Sequence, residues 1–342
     1  MDKEIANVAN NVLEKGKNNA VTIEKLTVEY KLKKYSIRAA SHIDLDIKRG
    51  KMTALVGESG SGKTTVASAL LNCISRPGEI VSGEIYFHEK DGTVTEVSKL
   101  KEKQINAFRW SKISMVFQGA QSSLNPVMTI LEHIYETMKV HDNKTTRADA
   151  VRRAQEVLTI VNLSAERIMK MYPHELSGGM KQRVMIAMSL LLNPDLIILD
   201  EPTTALDVIT QDYIFTILKK INREMGISML LLTHDISIVA KFTDYMAVMY
   251  AGRLVEYGST REVFNRKAHP YTRGLIMATP SLYGDITRME PIKGIPPNLM
   301  ELPGGCVFHP RCPYAEEMCR QTIPELKTIG NEHLSRCLKE VF

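Results

Sequence analysis

The segment Gly57-Glu58-Ser59-Gly60-Ser61-Gly62-Lys63-Thr64 constrains this chain more than any other. It fits the pattern GxxxxGK[ST], follows an apolar run at 52–56 and precedes a helical pattern at 65–74, the strand–loop–helix setting that such a loop needs. Gly57, Gly60 and Gly62, with Ser59 and Ser61 between them, let the backbone curl so that successive N–H groups face a phosphate chain. The helix behind adds the positive end of its dipole. Lys63 then meets the β and γ phosphates and Thr64 offers a hydroxyl to Mg²⁺, with Thr65 counted among the cofactor-binding positions.

A unit of this kind calls for a parallel sheet covered by helices. Three more short apolar runs, at 113–117, 196–199 and 228–232, read as buried strands separated by helical patterns. Ahead of the loop, Val21, Ile23, Leu26 and Val28, then Ile43, Leu45 and Ile47, predict antiparallel strands ending at the turn Lys48-Arg49-Gly50. Between 118 and 176 the spacing of Ile130, Ile134 and Met138, then of Val151, Ala154, Val157, Leu158 and Val161, predicts a helical insertion. After residue 262 prolines at 270, 280, 291, 296, 297, 303, 310 and 313 mark irregular structure. At 342 residues the chain exceeds the roughly 250 to 300 at which single cores stop growing, so two units are expected.

Composition removes several classes. With 44% hydrophobic and 24% charged residues the chain is globular. The greasiest stretch, 185–199, is broken by Asn193, Pro194 and Asp195, so no bilayer-spanning run of about 18 to 20 residues is expected. The polar first residues carry no apolar signal region, and cytoplasmic residence is the expectation. A net charge of +5 without a basic block larger than Lys31-Leu32-Lys33-Lys34 makes nucleic acid an unexpected partner.

Other polar groups fall at strand ends. Asp200 closes Leu196-Ile197-Ile198-Leu199, at the carboxyl edge where open α/β sheets bind ligands, and suits Mg²⁺ through water. Glu201 follows and is placed to deprotonate an attacking water. His234 closes a second run and suits the γ-phosphate. Gln118 closes 113–117 and suits Mg²⁺ or the water. Leu176-Ser177-Gly178-Gly179-Met180 precedes the helical run 184–192, so Ser177, Gly178 and Gly179 form a second helix N-terminus suited to an anion. One nucleotide does not easily use both termini. A head-to-tail pair, in which the Ser177 corner of one chain closes over the Lys63 loop of another, resolves this.

The phosphate loop, the Gln118 segment, Leu176-Ser177-Gly178-Gly179-Met180, the strand ending in Asp200-Glu201, Ala205-Leu206-Asp207 and His234 together resemble an ABC transporter nucleotide-binding subunit. That resemblance implies an α/β ABC cassette of the P-loop NTPase class, with an antiparallel β subdomain and a helical insertion. The expected organisation is a polar extension at 1–20, an ATPase domain at 21–262 with its helical subdomain at about 119–180, and a small irregular, cysteine-rich module at 263–342. It also implies an ATP-driven sandwich dimer beneath two transmembrane permease subunits, peripheral at the cytoplasmic face, with an extracytoplasmic solute-binding protein acting indirectly. In the family an aromatic residue some two dozen positions before the loop stacks on adenine. Tyr35 fits, and Tyr30 is a second candidate; packing within the antiparallel strands is the alternative for either.

Ser123-Leu124-Asn125-Pro126, His269-Pro270-Tyr271-Thr272-Arg273-Gly274-Leu275 and Gly305-Cys306-Val307-Phe308-His309-Pro310-Arg311-Cys312-Pro313 narrow the resemblance to the dipeptide, oligopeptide and nickel importers. Members work as two similar, non-identical ATPases, which implies a heterodimer; nickel or another metal complex is the alternative cargo. DNA-repair relatives would carry long heptad arms, which are absent from this sequence.

Four of the five cysteines, Cys306, Cys312, Cys319 and Cys337, crowd the last 37 residues. Four thiolates are the number that holds a zinc ion or an iron–sulfur cluster. Their spacing lacks the tight C-x2-4-C knuckle of structural zinc, and relatives with this tail carry [4Fe–4S], so a cluster is expected and zinc is the alternative. His309 is a candidate to replace one of the cysteines as ligand, with an ordinary surface or turn histidine as the more common alternative. Cys73 reads as helix core beside Leu70 and Leu71.

Overall fold

The computed structural model describes residues 17–204, 206–279 and 292–339, so most of the polar extension, Ala205, Pro280 and Pro291 lie outside the described residues. The chain forms two compact units, Met1–Leu100 with Leu232–Phe342, and Lys101–Leu231.

The first unit opens with β1 (Asn19–Lys31) and β2 (Ser36–Lys48), antiparallel with Ile23 opposite Leu45 and Leu26 opposite Ile43. The predicted alternation therefore pairs as expected, although β1 begins two residues before Val21. β3 (Met52–Val56) is buried at all five positions, which is why it reads as a continuous apolar run. Helix α1 (Lys63–Leu70) follows. It ends before Cys73, which is half-buried beyond the helix rather than in its core. β4 (Gly78–His88) and β5 (Val94–Glu96) complete a sheet of order β2-β1-β4-β5. Neither is legible in the sequence, because most of β4 is solvent-facing and only Ile85, Phe87 and His88 are buried.

The second unit begins with α2 (Glu102–Phe108) and β6 (Ile113–Val116). The helical stretch is α3 (Ile130–His141), α4 (Arg147–Ile160) and α5 (Ala165–Ile168). Thr129 with Glu132, and Thr146 with Asp149, form reciprocal caps at the starts of α3 and α4, signalled in sequence by Thr-x-x-Glu and Thr-x-x-Asp. Then come α6 (Gly178–Ser189), β7 (Leu196–Asp200), α7 (Val208–Met225) and β8 (Ser228–Thr233), the last two residues of which are counted with the first unit. β6 and β7 are parallel, Ile113 opposite Leu196 through Val116 opposite Leu199. Arg153 on α4 donates to the carbonyls of Leu190 and Leu191, occupying acceptors that the end of α6 leaves open.

The chain returns to the first unit through α8 (Ile236–Phe242), β9 (Tyr245–Tyr250), β10 (Arg253–Ser259), α9 (Thr260–Arg266) and α10 (Pro270–Met277). α11 (Glu317–Gln321), β11 (Lys327–Gly330) and β12 (His333–Ser335) follow. β9 lies parallel to β3, β10 antiparallel to β9, and β12 antiparallel to β10. The C-terminal stretch thus adds strands to a sheet, more order than its prolines suggest. Val307 and Phe308 are buried in the same core as Val56, Val248 and Tyr271.

Glu256, wholly buried on β10, holds this stretch in place. Its carboxylate accepts from the Ala268 amide at 2.9 Å, the His269 amide at 2.9 Å and His333 Nε2 at 2.8 Å. His269 in turn caps α10, its Nδ1 accepting from the Tyr271 amide at 3.1 Å, and burial pushes its pKa down to about 4. A histidine depressed in the folded state contributes stability above its unfolded pKa and loses it as pH falls toward the folded one. Thermal melts should therefore show stability declining between pH 6.5 and about 4, with a shallower decline for His269→Gln. Equal slopes would remove His269 from the acid response.

Candidate nucleotide-binding site

β3 delivers the chain straight into the phosphate loop, and the loop is wedged against neighbouring backbone. A Cβ at Gly57 would lie 2.2 Å from the Met249 carbonyl oxygen, and one at Gly62, where φ is +102°, would lie 2.1 Å from that of Ala39. Both positions are therefore restricted to glycine by space as well as by conformation. The Gly252 amide donates to Ser61 O at 3.0 Å, fixing the loop's far side. Lys63 is 7% exposed and opens α1, with Nζ donating to Gly57 O at 2.7 Å and Glu58 O at 3.1 Å. Lys63 is thus held over the loop, and Thr64, next in the helix, is exposed; Thr65 is half-buried and Ser59 and Gly60 are open to solvent.

Also in the first unit, Tyr35 lies in the β1–β2 hairpin loop and is 49% exposed, so strand packing does not describe it. Tyr30 pairs within β1 opposite Ile37. His234 is exposed directly after β8, and the next residue, Asp235, caps α8 by accepting from the Ser237 and Ile238 amides.

The second unit carries its own constellation. Asp200 is the last residue of β7 and is 3% exposed. Glu201 follows in a left-handed conformation, φ +44°, uncommon for a residue with a side chain. Its carboxylate accepts from Gln118 Nε2 at 3.0 Å and from Thr204 Oγ1 at 3.3 Å. β6 ends at Val116, one residue earlier than the sequence suggests, which leaves Phe117 53% exposed and frees Gln118 to reach Glu201. Thr204 was not singled out by sequence, though its place three residues after Glu201 is the usual reach of a short hydroxyl side chain. Ser177 caps α6, Oγ accepting from the Met180 amide at 3.3 Å, so this helix starts at Gly178, six residues before the run read from sequence. Its free N-terminal amides lie at Gly178 and Gly179, where an anion is favoured.

Cys306, Cys312, Cys319 and Cys337, with His309, line one small cavity of ≈ 20 Å³. Burial pushes the Cys312 thiol up to about 11, with the Cys337, Cys306 and Cys319 thiols adding to it; Cys306 and Cys337 are raised for the same reasons. Number and kind of donor suit a thiolate-bound group. Among the described residues, however, no three His, Cys, Asp or Glu side chains are gathered as a metal-ion site.

Residues 40–204 match the ABC transporter family, and residues 255–319 match the C-terminal region of oligopeptide/dipeptide transporters. The chain is 41% identical to the dipeptide transport ATP-binding protein DppD of Caldanaerobacter subterraneus, over 94% of this chain and 97% of that one. It is likewise 41% identical to the oligopeptide transport ATP-binding protein OppD of Escherichia coli, covering 94% and 93%. Among solved structures, the dimeric MJ0796 cassette bound to ADP and Pi shares 30% identity at a TM-score of 0.61, covering 70% of this chain and 99% of that one. The cassette cbiO1 of Clostridium perfringens gives 30% and 0.62, covering 73% and 92%. These likenesses define an ATP-hydrolysing ABC cassette. The chain belongs to the ABC transporter ATP-binding subunits of the dipeptide and oligopeptide importer family.

Gly62→Ala should abolish MgATP binding in equilibrium titration, since the added methyl meets the Ala39 carbonyl. Retained affinity would show that the loop can move away from β2.

Proposed function

We propose that this chain hydrolyses ATP to energise import of di- or oligopeptides through two permease subunits. It would work at the cytoplasmic face as a nucleotide sandwich with a related ATPase subunit. The observation that carries this reading is the union, in one chain, of a nucleotide cassette with the oligopeptide/dipeptide C-terminal region. Relatives named for dipeptide and oligopeptide transport, matched over nearly their full length, support it. Among the described residues no helix is long and apolar enough to cross a membrane.

In this reading loop amides within 57–62, other than those of Glu58 and Ser61, and the Lys63 ammonium hold the β and γ phosphates, and Tyr35 stacks on adenine. Thr64 of the first unit, and separately Asp200 and Gln118 of the second, are the residues that would hold Mg²⁺, which would neutralise charge on the phosphates. Glu201 takes the proton of the attacking water, and Gln118 orients that carboxylate. His234 contacts the γ-phosphate. Ser177, Gly178 and Gly179 present their helix N-terminus to the nucleotide of the partner ATPase. Reconstituted with its permease and a peptide-loaded binding protein, the complex should raise its ATPase rate. Glu201→Gln should cut turnover by about 10²- to 10⁴-fold while MgATP still binds. Stimulation by a chelated metal alone would transfer the assignment to metal-complex import.

The four-cysteine cavity is the proposed seat of a [4Fe–4S] cluster, supported by its donor set. A cluster there would convert binding energy into folding energy for the C-terminal stretch. Anaerobically purified protein should be brown and contain about four iron atoms per chain. Colourless protein with one zinc would replace the cluster with zinc, and metal-free protein would refute both.

A further inference from the structure

Glu58, the second residue of the phosphate loop, is gripped from the C-terminal stretch at two points. Its amide donates to Tyr271 Oη at 3.0 Å. Its carboxylate takes a two-pronged contact from Arg311, Nη1 to Oε2 at 2.8 Å and Nη2 to Oε1 at 3.0 Å. Its carbonyl accepts from Lys63 Nζ. One residue therefore joins the loop's lysine to two side chains more than 200 positions away in sequence.

Both anchors are themselves immobilised. The Arg311 side chain is 6% exposed, donates from Nε to Lys293 O at 3.0 Å, and lies 5.7 Å from the centre of the Tyr250 ring. Tyr271 is wholly buried and packs on Tyr250 and Phe308 with ring centres 4.6 and 5.4 Å away. Planar, charge-assisted forks of the Arg–carboxylate kind fix direction as well as contributing energy. With the Glu58 N–H committed to Tyr271 and the Ser61 N–H donating to the Glu58 carbonyl at 3.2 Å, the anion cradle falls to the other loop amides.

We propose that Arg311 and Tyr271 are positioning residues for ATP: through Glu58 they set the orientation of the phosphate loop and of Lys63. The role of the His-Pro-Tyr segment and of the Arg beside Cys312 is then to pre-organise the nucleotide site. This rests on the phosphate-loop reading given above. A rigid loop lowers the cost of ordering on binding, so loss of an anchor acts on MgATP affinity before it acts on chemistry.

The test uses the full chain, with Kd for a fluorescent MgATP analogue, KM and kcat for ATP, and the thermal midpoint measured together. Tyr271→Phe removes only the hydroxyl, and Arg311→Lys keeps the charge without the fork. Each should raise Kd and KM by about tenfold while kcat changes less than about threefold. Arg311→Gln should behave similarly, and its effect should largely vanish in a Glu58→Ala background, where there is no carboxylate left to hold. Unchanged Kd and KM in Tyr271→Phe and Arg311→Lys, with only a lowered thermal midpoint, would reduce both residues to structural staples and overturn the proposal. So would additive effects of Arg311→Gln and Glu58→Ala. If Lys63→Ala binds MgATP normally, the phosphate-loop reading itself fails, a result distinguishable from the others.

Discussion

The wedging of the phosphate loop between two backbone carbonyls is the constraint on which the nucleotide site depends. Gly57 has no room for a Cβ beside Met249 O, nor Gly62 beside Ala39 O. The loop therefore sits in a slot whose walls are β2 and β9. β9 is held parallel to β3, Thr53 opposite Tyr245 through Val56 opposite Val248, so the strand feeding the loop and the strand walling it are hydrogen-bonded neighbours. Binding chemistry is thereby placed on rigid elements, the arrangement that keeps ordering costs low.

That slot explains why the C-terminal stretch is packed rather than appended. Tyr250, the last residue of β9, is the ring against which Tyr271 and Phe308 both pack, and its hydroxyl lies 3.4 Å from Arg311 Nη1. Glu256 on the adjoining strand collects two amides and His333 from the same stretch. A buried carboxylate is tolerable only when its oxygens are satisfied, so removing any of these donors leaves a penalty inside the unit that carries the loop. The short turn His309–Arg311 lies between Cys306 and Cys312. One backbone segment thus bears both the Glu58 anchor and two walls of the cysteine cavity.

Legibility in the sequence followed the range of the physics. The phosphate loop and the Asp200-Glu201 strand end are readable because each is determined within about ten residues of chain. β4 is not, since its first half faces solvent and carries no apolar alternation. The start of α6 is legible as the Ser177 corner, where the cap falls, although the glycines at 178 and 179 depress helix propensity and the apolar run itself begins only at 184. The contacts of Tyr271 and Arg311 to Glu58 span 213 and 253 residues, and no local pattern announces them. His269-Pro270-Tyr271 was noticed as a resemblance, without a physical role. The role appears only when the tyrosine hydroxyl is found on a loop amide.

Glu201 shows how a local rule yields to chemistry. A glutamate at φ +44° costs on the order of 1 to 3 kcal/mol and persists only when its surroundings enforce it. Here they do: Gln118 holds one side of the carboxylate, the Thr204 hydroxyl donates to both its Oε2 and its carbonyl oxygen, and β7 ends immediately before it in buried Asp200. An extended Glu201 would continue the strand's alternation, whereas the left-handed turn breaks it and lets the carboxylate meet Gln118 from β6's end. Strain in the backbone is thus offset by hydrogen bonds that hold the carboxylate in one direction.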